Sequence, residues 1–181
     1  MNQIVESVWS SDLDGLRRQL QAGANPNYYH EHLTPLLWAI RLNQPNMADL
    51  LLDFGADPGA VDKRYMQNAI HAGVSAQLPT PILNRLLLGN DVNKGDNTGM
   101  TPLMLAAKSG SRELVSYLLA NGADPRIYDR YSNGPLHWSA TGGEFPELNL
   151  YLIKNGADPG ARTSYGMTYL DILREMKTAK G

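Results

Sequence analysis

Apolar positions along this chain fall into short helical runs, broken by glycine at a nearly constant interval. Between residues 101 and 122, Leu103, Ala106 and Ala107 share one helical face and Gly110 breaks the run. Leu114, Val115, Leu118 and Leu119 then recur at i, i+1, i+4 and i+5. This spacing predicts two short antiparallel helices. Thr101 before Pro102 reads as an N-cap followed by proline at the first helical position, where its missing N–H costs nothing. Gly122 stands where a residue in the left-handed region closes the second helix, and Ala106 and Ala107 are small enough to let neighbouring helices approach closely.

The same unit recurs. Turn segments begin at Gly23, Gly55, Gly89, Gly122 and Gly156, each of the form Gly-Ala-Asp/Asn-Pro or close to it, at spacings of 55-23=32, 89-55=34, 122-89=33 and 156-122=34. A second marker follows each glycine in nearly fixed phase: Thr34-Pro35-Leu36, Gln67-Asn68-Ala69, Thr101-Pro102-Leu103, Gly134-Pro135-Leu136-His137 and Thr168-Tyr169-Leu170. Two markers in phase along nearly the whole chain are the signature of a stacked repeat.

The pattern resembles the ankyrin repeat, with its period of about 33 residues and its Thr-Pro-Leu-His-x-Ala signature, over residues 4–175. The resemblance implies an all-α repeat solenoid in which each repeat is a helix pair with a hairpin-like finger at right angles to it. It places a single domain over 1–176: five repeats at 1–27, 28–59, 60–93, 94–126 and 127–160, then a capping helix at 161–176. Residues 177–181 are expected to form a flexible tail. Terminal repeats need polar outer faces, which Asp12, Asp14, Arg17, Arg18 and Gln21 supply at one end and Glu175, Lys177 and Lys180 at the other.

The third repeat departs from the pattern. Gln67-Asn68-Ala69-Ile70 stands at the signature, Ala76 falls where glycine ends the first helix, and Leu78-Pro79-Thr80-Pro81 fills the inter-helix loop. Marker to glycine is 89-67=22 here against 122-101=21 in the next repeat. On that register, Thr-Pro at positions 67 and 68 is expected to add about 1 kcal/mol, the usual size of a cap. The fifth repeat carries a similar excess (156-134=22) around Glu144-Phe145-Pro146, with Phe145 expected in the core. Such irregularity favours a natural sequence over a consensus design.

Composition narrows the function. Cysteine is absent, which removes disulfides, zinc-thiolate sites and thiol nucleophiles. Lys and Arg total 16 against 18 Asp and Glu, for a net charge of -2, so no global positive field draws the chain to nucleic acid or anionic lipid. The first residues carry neither a basic stretch nor an apolar run of signal type, and the expected location is cytoplasmic. No phosphate loop, nucleophile elbow or zinc-protease motif is present, and neither a catalytic residue nor a cofactor or metal is expected. Asp57, Asp91, Asp124 and Asp158 recur once per period and read as turn formers, as do Asp62, Asp96 and Asp129 in the fingers. His30-Glu31-His32 offers two imidazoles, too few for a metal site. His137 stands at the signature position and reads as structural, whereas His71 falls one place further along its helix and carries no signal alone.

The resemblance implies that partners are gripped by the finger tips and the exposed face of the first helices. The fingers lie at 28–33, 61–66, 94–100, 127–133 and 162–167, and they hold six of the nine tyrosines: Tyr28, Tyr29, Tyr65, Tyr128, Tyr131 and Tyr165. Tyrosine gives a large amphipathic contact at small entropic cost and, with Arg and Trp, dominates binding hot spots. With Lys63, Arg64, Arg130 and Arg162 beside the rings, His30 and His32 in the first finger, and Trp9 and Arg41 on first helices, these form the expected partner-binding set. Trp38 and Trp138 align one step inward and are assigned to the core. The expected function is a protein-binding module that masks or inhibits another protein, of inhibitor, antitoxin or immunity type, as a monomer or a 1:1 complex. Its partner would present an acidic patch. An adaptor joining two partners is the alternative, with the Leu78 to Pro81 loop as its second patch, and an enzyme or metal-dependent protein is a more distant one.

Overall fold

The computed structural model describes residues 3–179, in which eleven helices and no extended strand occur. Two compact units emerge, residues 1–91 and 92–181. In the first unit the chain runs α1 (Gln3–Trp9), α2 (Leu13–Gln21), α3 (Pro35–Arg41), α4 (Pro45–Asp53), α5 (Ala69–Ser75) and α6 (Thr80–Leu87). The first helices of the repeats, α1, α3 and α5, pack side by side, and the second helices α2, α4 and α6 stack behind them. Their shared core holds Ile4, Val8, Leu36, Ile40, Ile70 and Leu83, all fully buried. The outer face of α2 carries the exposed Asp14, Arg17, Arg18 and Gln21.

The second unit repeats this arrangement with α7 (Pro102–Lys108), α8 (Arg112–Ala120), α9 (Pro135–Gly142), α10 (Pro146–Lys154) and a last helix, α11 (Tyr169–Thr178). Helices α7, α9 and α11 pack in sequence, and α8 and α10 lie behind α7 and α9. Because α11 runs to Thr178, it extends two residues into the stretch expected as a tail. Lys180 and Gly181 lie outside the described residues. The half-buried Phe145 ring lies against Gly110, whose backbone sits at φ +72°, so a side chain there would collide with the ring.

Helix caps put the third repeat in a different register from the one its letters suggest. Asn68, not Gln67, is the N-cap of α5. Its Oδ1 accepts from the backbone N–H of Ile70 (3.1 Å) and of His71 (3.2 Å), while the Asn68 N–H reaches back to His71 Nδ1 at 3.4 Å. Asn68-Ala69-Ile70-His71 therefore occupies the places of Thr101-Pro102-Leu103-Met104, and His71 holds the signature histidine position, correcting the sequence alignment by one residue. From the true cap the repeat measures 89-68=21, the ordinary length. The extra residue sits in the finger instead, which closes from Asp62 N to Gln67 O and places Met66 at φ +59°. At the other end of α5, Gln77 at φ +52° takes the left-handed place that Gly110 holds in the fourth repeat, and Ala76 is the cap before it. Leu78 is buried and anchors the start of this loop, while Pro79, Thr80 and Pro81 are exposed, the last two already in α6. The expected gain from Thr-Pro at 67 and 68 is overturned: proline at 68 would remove a working cap.

Three of the four periodic carboxylates close turns, as their recurrence suggested. Asp57, Asp124 and Asp158 each accept from the N–H two residues on, at 2.8, 2.9 and 2.8 Å. Two asparagines lock successive turns together. Asn27 donates to Gly55 O and accepts from Asp57 N, and Asn93 does the same with Gly122 O and Asp124 N.

Candidate functional site: the finger tips

The fingers are short irregular loops whose backbones are tied down twice. Adjacent fingers exchange one backbone bond each: Lys63 N to His32 O (3.0 Å) in the first unit, and Arg130 N to Thr98 O and Ser164 N to Tyr131 O (both 2.9 Å) in the second. The second to fifth fingers are also closed by an internal side-chain acceptor, Asp62 Oδ1 taking the N–H of Arg64 at 2.7 Å in the second. Asp96 Oδ1 takes the N–H groups of Thr98 and Met100. Asp129, itself buried, accepts from Tyr131 N and Asn133 N (both 2.9 Å), from Asn133 Nδ2 and from Trp138 Nε1 at 3.0 Å. In the last finger Thr163 Oγ1 plays that part toward Tyr165 N (3.2 Å) and Met167 N (3.3 Å). Sequence reading assigned Asp62, Asp96 and Asp129 to this work and missed Thr163, which recurs at the same place with a hydroxyl for a carboxylate.

On these fixed backbones the second unit exposes a run of aromatic and basic side chains. Tyr131 is 51% exposed and Tyr165 79%, with Arg130 and Arg162 exposed beside them. Arg162 also donates to Gly166 O at 2.6 Å, holding its guanidinium over its own finger. Tyr128 is less open: its ring packs over Gly134, and burial, with Asp158 nearby, raises its phenol above the ordinary range.

The first unit divides its expected contact residues between surface and framework. Tyr65 and Met66 are exposed at the tip of the second finger, as are Lys63 and Arg64. Tyr29, by contrast, donates its hydroxyl to Val61 O at 2.9 Å and carries Lys63 Nζ over its ring at 3.8 Å, tying the first finger to the second. Tyr28 is half-buried, and burial pushes its phenol up to about 12. The His30 ring meets Trp9 edge-on at 5.2 Å, and Trp9 in turn meets Trp38 at 5.5 Å, so these three rings form one aromatic cluster at the end of α1. His32 lies 3.9 Å from the Glu31 carboxylate. Arg41 reaches the fully buried Asp62 at 2.5 Å, which binds it to the neighbouring finger. Among the described residues no group of three or more His, Asp or Glu is gathered in a way that could hold a metal ion, and no helix is long and apolar enough to cross a membrane.

His137 joins repeats. Its Nδ1 accepts from Gly134 N at 3.0 Å and its Nε2 faces Ala161 O at 3.1 Å, fixing the tautomer with the proton on Nε2. Burial holds this imidazole below its ordinary pKa.

Residues 71–163 match the family model described as ankyrin repeats (3 copies), and residues 31–63 match the model described as ankyrin repeat. The chain is 34% identical over 140 residues to "Protein PhlB" of Serratia liquefaciens, an overlap covering 76% of this chain and 60% of that protein. It is 35% identical over 112 residues to "Palmitoyltransferase ZDHHC13" of Homo sapiens, covering 61% of this chain and 18% of that one. Against "Ankyrin repeat and SOCS box protein 6" of Homo sapiens it is 36% identical over 114 residues, covering 58% and 27%. The chain thus spans less than two thirds of the length of each of these relatives.

Proposed function

This chain belongs to the ankyrin-repeat family and is a protein-interaction module, and on that footing we propose that its finger tips grip a partner protein and mask its working surface. The observation that carries this reading is the pairing of exposed Tyr131, Tyr165, Arg130 and Arg162 with backbones already fixed by Asp129, Thr163 and the finger-to-finger bonds. A loop that is ordered before binding loses little entropy on binding, so the contact area of its rings goes into affinity. The tips need no core role, and Tyr165 at 79% exposure packs on little of its own chain. Tyr65 and Arg64 offer the same chemistry at the tip in the first unit.

The cations select an acidic partner surface, and the rings select one with apolar ground between its charges. Masking accords with a contact set drawn from the finger tips, whereas an adaptor's second partner would use the exposed stretch from Pro79 to Pro81. The test is affinity capture from the native host with three baits: the unaltered chain, the Tyr131→Ala/Tyr165→Ala variant, and Lys154→Ala on α10. A protein retained by the first and third and lost by the second is the partner, and its activity is then titrated against the chain. Inhibition saturating at one equivalent supports masking. A ternary complex on size exclusion, with activity unchanged, supports the adaptor reading instead.

A further inference from the structure

The second finger is one residue longer than the three that follow it, and its hydrogen bonds locate the surplus. In the later fingers the anchor residue, Asp96, Asp129 or Thr163, accepts at its carbonyl from the residue three places on, which is Gly99, Ser132 or Gly166. The same anchor donates its N–H to the carbonyl four places on, that of Met100, Asn133 or Met167. At Asp62 these two bonds reach four and five places instead, from Met66 N at 2.7 Å and to Gln67 O at 2.8 Å. The N–H two places on meets the anchor's side chain in all four fingers, from Arg64, Thr98, Tyr131 and Tyr165. Tyr65 and Met66 therefore stand together where Gly99, Ser132 or Gly166 stands alone.

These closing bonds use no atom of the Tyr65 or Met66 side chain. Met66 sits at φ +59°, in the left-handed region that Gly99 (φ +86°) and Gly166 (φ +79°) enter without a Cβ. Among the described residues Ser11, Glu31, Asn43, Gln77 and Ser132 also have positive φ, and all five are polar; Met66 is the apolar member of the set. A bulky apolar side chain on such a backbone is an outlier, and outliers of this kind gather where a ligand is gripped. Met66 and Tyr65 are each 46% exposed, with Lys63 and Arg64 exposed on the same tip. The repeat behind them is complete, with α5 and α6 both in place, so its own helices leave these side chains uncovered.

We propose, resting on the finger-tip reading, that Tyr65 and Met66 form an apolar knob that enters a preformed apolar socket on the partner protein, rimmed by carboxylates that meet Lys63 and Arg64. A convex pair of side chains calls for a concave receiver. Methionine fills irregular apolar space, tyrosine is a frequent anchor of binding energy, and cations at the rim steer the approach and fix its register. A second copy of this chain meeting the same tip would set Lys63 and Arg64 against their own likeness, which disfavours a self-paired knob. The bond from Lys63 N to His32 O holds the tip in place before binding.

The test uses the full chain and the protein that the unaltered bait retains in the capture above. By calorimetric titration, Met66→Gly and deletion of Tyr65 are each expected to weaken its binding about tenfold or more, and Met66→Leu to keep it within about threefold. Melting temperatures of the glycine and deletion variants are expected to hold or rise, because glycine takes the left-handed backbone without strain and the deletion restores the common finger length. A fall of about 4 °C or more in both would show that the two side chains serve the fold, and overturns the proposal. Unaltered affinity in both variants overturns it too. If Tyr131→Ala/Tyr165→Ala still loses the protein, the finger-tip reading survives that failure; if that variant is also neutral, both fall. Sedimentation showing self-association of the unaltered chain that Met66→Gly abolishes overturns it in favour of a second copy. With p-benzoylphenylalanine in place of Tyr65, irradiation in the native host is expected to give an adduct with that same protein, at apolar residues flanked by Asp or Glu. Absence of any adduct overturns the proposal.

Discussion

Trp138 donates its indole N–H to the buried Asp129 carboxylate at 3.0 Å, fastening the finger that carries Arg130 and Tyr131 to the first helix of its own repeat. In the second repeat Tyr29 stands nine residues before Trp38, as Asp129 stands before Trp138, and Trp38 Nε1 finds no acceptor among the described residues. The aromatic cluster of Trp9, His30 and Trp38 holds that finger by packing instead.

Removing the Asp129 carboxylate leaves four N–H donors without their acceptor. Asp129→Ala should therefore cost about 2–3 kcal/mol by urea denaturation, and Asp129→Asn, which retains one acceptor oxygen, should cost less. Equal stability of the alanine variant would mean that the carboxylate does not hold the finger.

Asn68 caps α5 through two backbone bonds. Asn68→Ala should lower stability by about 1 kcal/mol, while Asn68→Thr, matching the caps at Thr34 and Thr101, should lie within about 0.5 kcal/mol of the parent. Asn68→Pro should be the worst of the three. A proline variant more stable than the parent would restore the register in which Gln67 is the cap.

Burial depresses the His137 pKa below its ordinary 6.5, so near neutrality the folded chain binds fewer protons there than the unfolded chain. The contribution is fully present above the unfolded value and is lost as pH falls from about 6.5 toward the folded pKa. Thermal melts between pH 7.5 and 5.5 should show stability declining with acidity in the parent and a shallower decline in His137→Gln. Parallel slopes would place the titrating group elsewhere.

The Arg112 guanidinium stacks over the Tyr151 ring, 4.2 Å from its centroid. Arg112→Ala should cost about 0.5–1 kcal/mol of stability. Lys154→Ala on the same layer should cost nothing measurable on the same melts.

Much of this architecture is legible in the chain because it is written in local stereochemistry. Glycines that close helices, Thr-Pro starts and turn aspartates each need only their immediate neighbours, and they recur in phase. The slip at residues 67 and 68 came from matching letters rather than cap chemistry: asparagine caps a helix as well as threonine does, and the displaced residue went into the finger at Met66, where a positive φ left no signal in the residue type. Exposure of the tips was less legible. Tyr29 and Tyr165 read alike as finger tyrosines, yet Tyr29 is taken up by Val61 O, 32 residues away, and Tyr165 by nothing comparable.

The central claim is that locked fingers present Tyr131 and Tyr165 to a partner. Calorimetric titration of the captured partner against the Tyr131→Ala/Tyr165→Ala variant, with melting curves in parallel, tests it most directly. The predicted result is an affinity loss of about thirtyfold or more with the melting temperature unchanged. Unaltered affinity in that variant, with the melting temperature unchanged, would contradict it and move the partner site away from the finger tips.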